Sequence, residues 1–175
     1  MEEISSSELG RVLEHGSRTI IIPFGSVEHQ GGHLPLGSDA LLADFVGERV
    51  ADALDAVLAP TIRVGYAEQH MSGVGTLSIP TSTLRETAAH VACSLIGHGF
   101  RVIALVSIHG ANRPALEEAA RGLNHRHPDV VVCVPRGDVG QDPGPHSGAW
   151  LSSVMLAIRP DLVDLASVES GLRTR

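Results

Sequence analysis

The chain has 175 residues, enough for one domain with a buried core, and its 43% hydrophobic content comes chiefly from Ala, Val, Leu and Ile beside three Phe, one Trp and one Tyr; an aliphatic sheet covered by Ala-rich helices is expected. Thirteen basic against twenty acidic side chains give a formal charge of −7 with no Lys/Arg cluster, which excludes a surface that tracks nucleic-acid phosphates. Two separated cysteines, Cys93 and Cys133, no signal-like N-terminus and no apolar run of bilayer-spanning length set the expectation of a cytoplasmic protein with reduced thiols and no membrane partner.

Arg18 to Phe24 is a short apolar, β-branched run stopped by Gly25, as expected of a buried parallel strand that opens into a loop, here Ser26 to Ser38. From Asp39 to Leu54 the apolar residues Leu42, Phe45, Val46, Val50 and Leu54 recur at helical spacing. Val57 to Val64 reads as a second strand interrupted by Pro60, followed by a Gly-rich loop to Gly75 and a brief extended piece, Thr76 to Ile79. Thr83-Leu-Arg-Glu86 has the form of a capping box and predicts the start of a helix that ends near Gly97 or Gly99. Arg101 to Ile108 is the strongest buried-strand pattern and runs into the loop His109-Gly-Ala-Asn112. A helix over Arg113 to Arg126 with Pro114 in its first turn, a strand over Val130 to Val134, a Gly/Pro-rich loop from Pro135 to Pro145 and a helix over Gly148 to Ile158 complete the chain. Repeated strand–helix–strand units imply one α/β domain, residues 1 to 175, with a mostly parallel sheet flanked by helices in three layers.

Ten histidines call for explanation, since imidazole is both the common metal ligand and the near-neutral acid/base. Glu28, His29, His33 and Asp39 crowd one strand-end loop, where carboxylates and imidazoles can converge on a divalent ion. That segment alone leaves two readings open, a metal site or a helix capped by Asp39 with exposed loop histidines. His109 shifts the balance toward metal, because a second strand-end loop of a parallel sheet brings it to the same edge.

Gly25-Ser-Val-Glu-His-Gln-Gly-Gly-His-Leu-Pro-Leu-Gly-Ser-Asp39 resembles the creatininase-family signature G-S-x-E-Q-H-G-P-H-L-P-L-x-T-D. Gly65-Tyr-Ala-Glu-Gln-His70 running on to Gly75-Thr76 is similar to the family's G-x-S-x-E-H-x-x-x-P-G-T, and Ser107-Ile-His-Gly-Ala-Asn112 to its N-G-H-G-G-N. His146-Ser-Gly-Ala-Trp-Leu-Ser-Ser153 and Met155 to Val163 resemble H-A-G-x-x-E-T-S and M-L-A-x-x-P-x-L-V. The resemblance implies a metal-dependent hydrolase of C–N bonds in compact or cyclic, non-peptide amides, with two metals. It assigns Glu28, Asp39 and His109 to the first metal, with Asp39 able to bridge to the second, and His146 to proton transfer at the leaving nitrogen, with Glu28 also in the catalytic centre. Asn112, His70 and Trp150 are the candidate substrate contacts.

Two family positions depart, both at the second metal: a ligand histidine is Gln30, and the glutamate of H-A-G-x-x-E-T-S is Leu151, which fits the inward stripe of its helix. Gln30, His29 and His33 remain as further ligand candidates, although in an extended segment His29 points away from Glu28. The expectation is therefore one divalent metal per chain, zinc first and manganese or iron next, in a one-metal or altered-chemistry enzyme of a small-molecule biosynthetic pathway, with homo-oligomers as in the family. The alternative is a catalytically degenerate protein of the same fold with a binding or structural role.

Overall fold

Alternation along two long strands divides the core into two faces. In β1 (Thr19–Phe24), Ile20, Ile22 and Phe24 point to one side and Ile21 to the other; in β3 (Val102–Ser107), Ile103 and Leu105 join the first side and Ala104 and Val106 the second. This computed structural model describes residues 1–136 and 145–168, so most of the loop expected between Pro135 and Pro145 lies outside the described residues. The strands run parallel in the order β2-β1-β3-β4, with β2 at Val57–Leu58 and β4 at Val131–Cys133. The first face is covered by α3 (Thr81–His98), α4 (Arg113–Arg126) and Leu9 and Leu13 of α1 (Ser6–His15); the second is covered by α2 (Ser38–Leu54). The expected three-layer α/β fold is thus present. Leu151 and Met155 of α5 (Ala149–Ile158) pack on Leu34 and Leu42, so Leu151 is core, as its helical stripe predicts. No helix among the described residues is long and apolar enough to cross a membrane.

Three expectations require correction. The helix α1 is not foreseen, yet Ser5 and Glu8 form a reciprocal capping box at its start. The box expected at Thr83 and Glu86 does not form: α3 begins two residues earlier, behind Pro80, with no side-chain cap, and Thr83 lies inside it. The strand expected over Val57 to Val64 shrinks to two residues, because Pro60 has no N–H for the ladder; pairing resumes only at an isolated bridge between Ile62 and Phe24.

The register Thr19↔Val102 through Phe24↔Ser107 ends β1 and β3 level with each other. Their outgoing loops therefore leave the same edge of the sheet, where open parallel sheets place their sites. At Gly25 the chain passes so close to α2 that a Cβ would lie 2.4 Å from the Ala40 Cα. Only glycine permits that approach, which brings Glu28 onto the first turn of α2 beside Asp39.

Candidate metal centre

Glu28 and Asp39 are both buried, at 0% and 7% exposure, and face one another across the Ser26 hydroxyl. Ser26 Oγ lies 2.7 Å from Glu28 Oε2 and 3.0 Å from Asp39 Oδ2; with one proton, it can satisfy only one carboxylate at a time. His109 completes the cluster, its Nδ1 3.0 Å from Asp39 Oδ2 and 3.2 Å from Glu28 Oε2. The alternative in which Asp39 caps α2 is not realised, since the cap position is Gly37 and no side-chain cap bond is made.

The tautomer of His109 follows from its other nitrogen. Nε2 lies 2.9 Å from the Tyr66 carbonyl oxygen, which can only accept, so Nε2 carries a proton and the neutral ring presents its Nδ1 lone pair to the two carboxylates. An imidazole that donates one N–H to a backbone carbonyl and turns the other nitrogen to carboxylates is the common arrangement of a metal-ligating histidine. Without a cation, a proton must serve instead. Burial disfavours the imidazolium, but the Asp39 hydrogen bond and the charges of Glu28 and Asp39 outweigh it, and the pKa of His109 is raised. The pKa of Glu28 is also raised, by burial first of all, against the opposing charge of His109. Two carboxylates against one imidazolium leave a net negative charge in a buried place, which a divalent cation in the middle would neutralise. Glu28, Asp39 and His109 offer three ligand atoms within 4.8 Å of one another, so the donor set fits such an ion.

The remaining candidates divide. His146 and His70 reach the centre from other loops: His146 Nδ1 is 3.7 Å and His70 Nε2 is 3.6 Å from Glu28 Oε1, and their rings stack at 4.0 Å. Burial, then the neighbouring His146, lowers the His70 pKa to about 4, so His70 is neutral near pH 7. Trp150, with Glu28, Asp39, His109 and His146, lines a cavity of about 180 Å³. Gln30 is fully buried, but its amide nitrogen donates to Glu28 Oε1 at 3.4 Å and its oxygen accepts from Ser147 at 2.8 Å; it turns a donor to the centre and is not a ligand. His29 points away, as alternation along the loop requires, and packs so closely on Gly73 that a Cβ there would lie 2.2 Å from its own. His33 pairs with Ser152 Oγ at 2.8 Å and joins no ligand group among the described residues.

Asn112 is not placed to bind substrate. Fully buried, it donates from Nδ2 to the Gly25 carbonyl and accepts from the Tyr66 N–H at Oδ1, tying three loops together. Its approach to Gly65 is so tight that a Cβ would lie 2.2 Å from Oδ1. Asn112→Ala should orphan both backbone groups and lower unfolding stability by about 1–3 kcal/mol for each, read from the denaturant midpoint; an unchanged midpoint would show that water replaces the amide. Ser26, which joins the carboxylates, and Ser147, itself left-handed at φ 55° and donating to the Gln30 amide oxygen, are not marked by the sequence. Nothing local marks either serine, because its role comes from the partner it meets.

A family model described as creatininase, creatinine amidohydrolase, matches residues 2–174. The creatinine amidohydrolase of Pseudomonas putida is 30% identical over 193 residues, covering 95% of this chain and 74% of that protein. The mycofactocin precursor peptide peptidase of Mycobacterium ulcerans (strain Agy99) is 35% identical over 164 residues, covering 87% of this chain and 63% of the peptidase, so the chain spans less than two thirds of that relative. Among solved structures, a manganese creatininase superposes with a TM-score of 0.86 at 27% identity, covering 100% of this chain and 79% of that one. A creatininase mutant of Zn-Zn type gives a TM-score of 0.79 at 28% identity, covering 98% and 76%. With the strand-end carboxylates and His109 in place, and a family match along nearly its whole length, the chain belongs to the creatininase family.

Proposed function

We propose that this protein hydrolyses an amide-type C–N bond in a compact substrate, using one divalent cation, zinc or alternatively manganese or iron, held by Glu28, Asp39 and His109. The observation that carries the reading is the His109 ring, whose Nε2–H is committed to the Tyr66 carbonyl while Nδ1 faces two buried carboxylates. A cation held there would acidify water and polarise a carbonyl oxygen. The residues supply the rest. Glu28, Asp39 and His109 fix the position of charge; Trp150 walls the cavity beside them. His146 donates Nε2–H to the His29 carbonyl at 2.8 Å, which leaves its Nδ1 lone pair free at the cavity. That atom can take a proton from the attacking water and return it to the nitrogen as the C–N bond breaks. The volume of about 180 Å³ is below the roughly 300–1,000 Å³ of drug-sized sites and suits a small amide. The peptidase relative makes the terminal amide of a short peptide a second class to test.

The purified chain carrying one equivalent of Zn²⁺ or Mn²⁺ should hydrolyse some member of a panel of lactams, cyclic ureas, formamides and short peptides, lose that activity to chelator and regain it on reloading. Because His109 and Glu28 both have raised pKa values without a cation, protons compete with metal. Affinity should rise from pH 6 to pH 8, by up to about tenfold per pH unit for each proton displaced. A chain that takes up no cation and hydrolyses nothing leaves the binding or structural alternative standing, whereas hydrolysis that survives chelation would overturn the role of the cation alone.

A further inference from the structure

We propose a second cation site, formed by Glu28 Oε1, His70 Nε2 and His146 Nδ1, whose occupation shuts the enzyme off. The consequence rests on the proton-carrying role given to His146 above. The family positions expected to hold a second metal are Gln30, which turns an amide nitrogen to Glu28, and Leu151, which is core, so this trio is a different ligand set, gathered on the Glu28 oxygen that Gln30 also faces.

The two oxygens of Glu28 divide the clusters. Oε2 faces His109 at 3.2 Å, whereas Oε1 faces His70 at 3.6 Å and His146 at 3.7 Å. The latter separations are too long for good hydrogen bonds. They are, however, close to the edge of a tetrahedron with ligand bonds of about 2.1 Å, which is roughly 3.4 Å. The three atoms lie within 4.8 Å of one another. The His146 ring is oriented as the His109 ring is: Nε2 is 2.8 Å from the His29 carbonyl, an acceptor only, so its lone pair sits on Nδ1 and points at Glu28. The stacked rings of His70 and His146, 17° from parallel, present their nitrogens to the same carboxylate oxygen. Gln30 donates to that oxygen at 3.4 Å, a long contact that leaves a lone pair for an ion.

A nitrogen lone pair that binds a cation cannot accept a proton. The second cation therefore removes the proton carrier without disturbing Glu28 Oε2, Asp39 or His109, and excess metal inhibits. Since the carrier typically contributes about 10²- to 10⁴-fold in rate, filling the second site should suppress turnover by about 10²-fold or more.

The test is a titration of the metal-free chain with Co²⁺ and Zn²⁺, followed by calorimetry and the Co²⁺ absorption spectrum alongside turnover. Two binding steps are expected, with activity rising through the first equivalent and falling through the second. His70→Ala should keep the first step, lose the second, and show no fall in its own activity beyond one equivalent. A single step in the unmodified chain that nevertheless hydrolyses its substrate would overturn the second site and leave the proposed function intact. A second step that raises activity would overturn the inhibition. Two steps with no hydrolysis at one equivalent would defeat the proposed function and the inhibitory consequence, while the site itself would stand.

Discussion

Asp39→Asn should abolish tight binding of the first cation and, with it, amide hydrolysis. The substitution keeps the size of the side chain and a carbonyl-type oxygen near Ser26 and His109, so the first turn of α2 has no steric reason to move. It removes one of the two buried negative charges that make the centre attractive to a divalent ion. Loss of a partner that merely orients a metal ligand commonly costs 10- to 100-fold in affinity; loss of a charged ligand should cost more. Thermal melts at increasing Zn²⁺ read this independently of turnover. A ligand that binds only the folded state at 100 times its dissociation constant adds about 2.7 kcal/mol of stability, so with His70→Ala in both chains to remove the second site, the chain with Asp39 should gain several degrees and the Asp39→Asn chain almost none. An equal metal-dependent gain in both would place the cation elsewhere.

Which parts of this centre can be read from sequence follows from how local each cause is. Glu28, Asp39 and His109 are legible because two apolar strands stop abruptly at Gly25 and His109, and a parallel sheet must then bring both loops to one edge. The outward direction of His29 is legible too, from alternation along an extended segment. The function of Asn112 is not, because a buried amide that ties backbone groups of two other loops has the same sequence signature as one that faces a substrate. The same holds for Gln30, whose amide nitrogen is turned to Glu28 by Ser147, 117 residues away. The resemblance implies Asp39 as the bridge between two metals, whereas here Glu28 stands between the two ligand groups. At the start of α3, the Thr83 motif is overridden by Pro80, whose fixed φ lets a helix begin directly behind it. Ser5 and Glu8 carry the same kind of motif and do cap a helix, α1, whose side chains Leu9 and Leu13 find a core to lie against. A capping motif thus marks a helix start only where the tertiary packing agrees.

His146→Asn should lower turnover by about 10²- to 10⁴-fold while leaving the first cation in place. Asparagine places its amide near the position of Nδ1 and falls short of Nε2, so the hydrogen bond to the His29 carbonyl is lost or passes to water. It lacks a titratable group, and the atom lost is Nδ1, the free nitrogen at the cavity. Glu28, Asp39 and His109 make no contact that depends on that atom as a donor, so one equivalent of metal should still bind with little change in affinity. The kinetic signature separates proton transfer from substrate binding: kcat should fall with kcat/KM, because a proton carrier acts in the transition state, whereas a group that only holds substrate would raise KM and spare kcat. A leaving nitrogen of low basicity needs less protonation, so activated amides should recover part of the lost rate. Normal turnover in the variant, with one cation bound, would make His146 a structural residue and pass the proton to another group facing the same carboxylate, of which His70 is the first to replace.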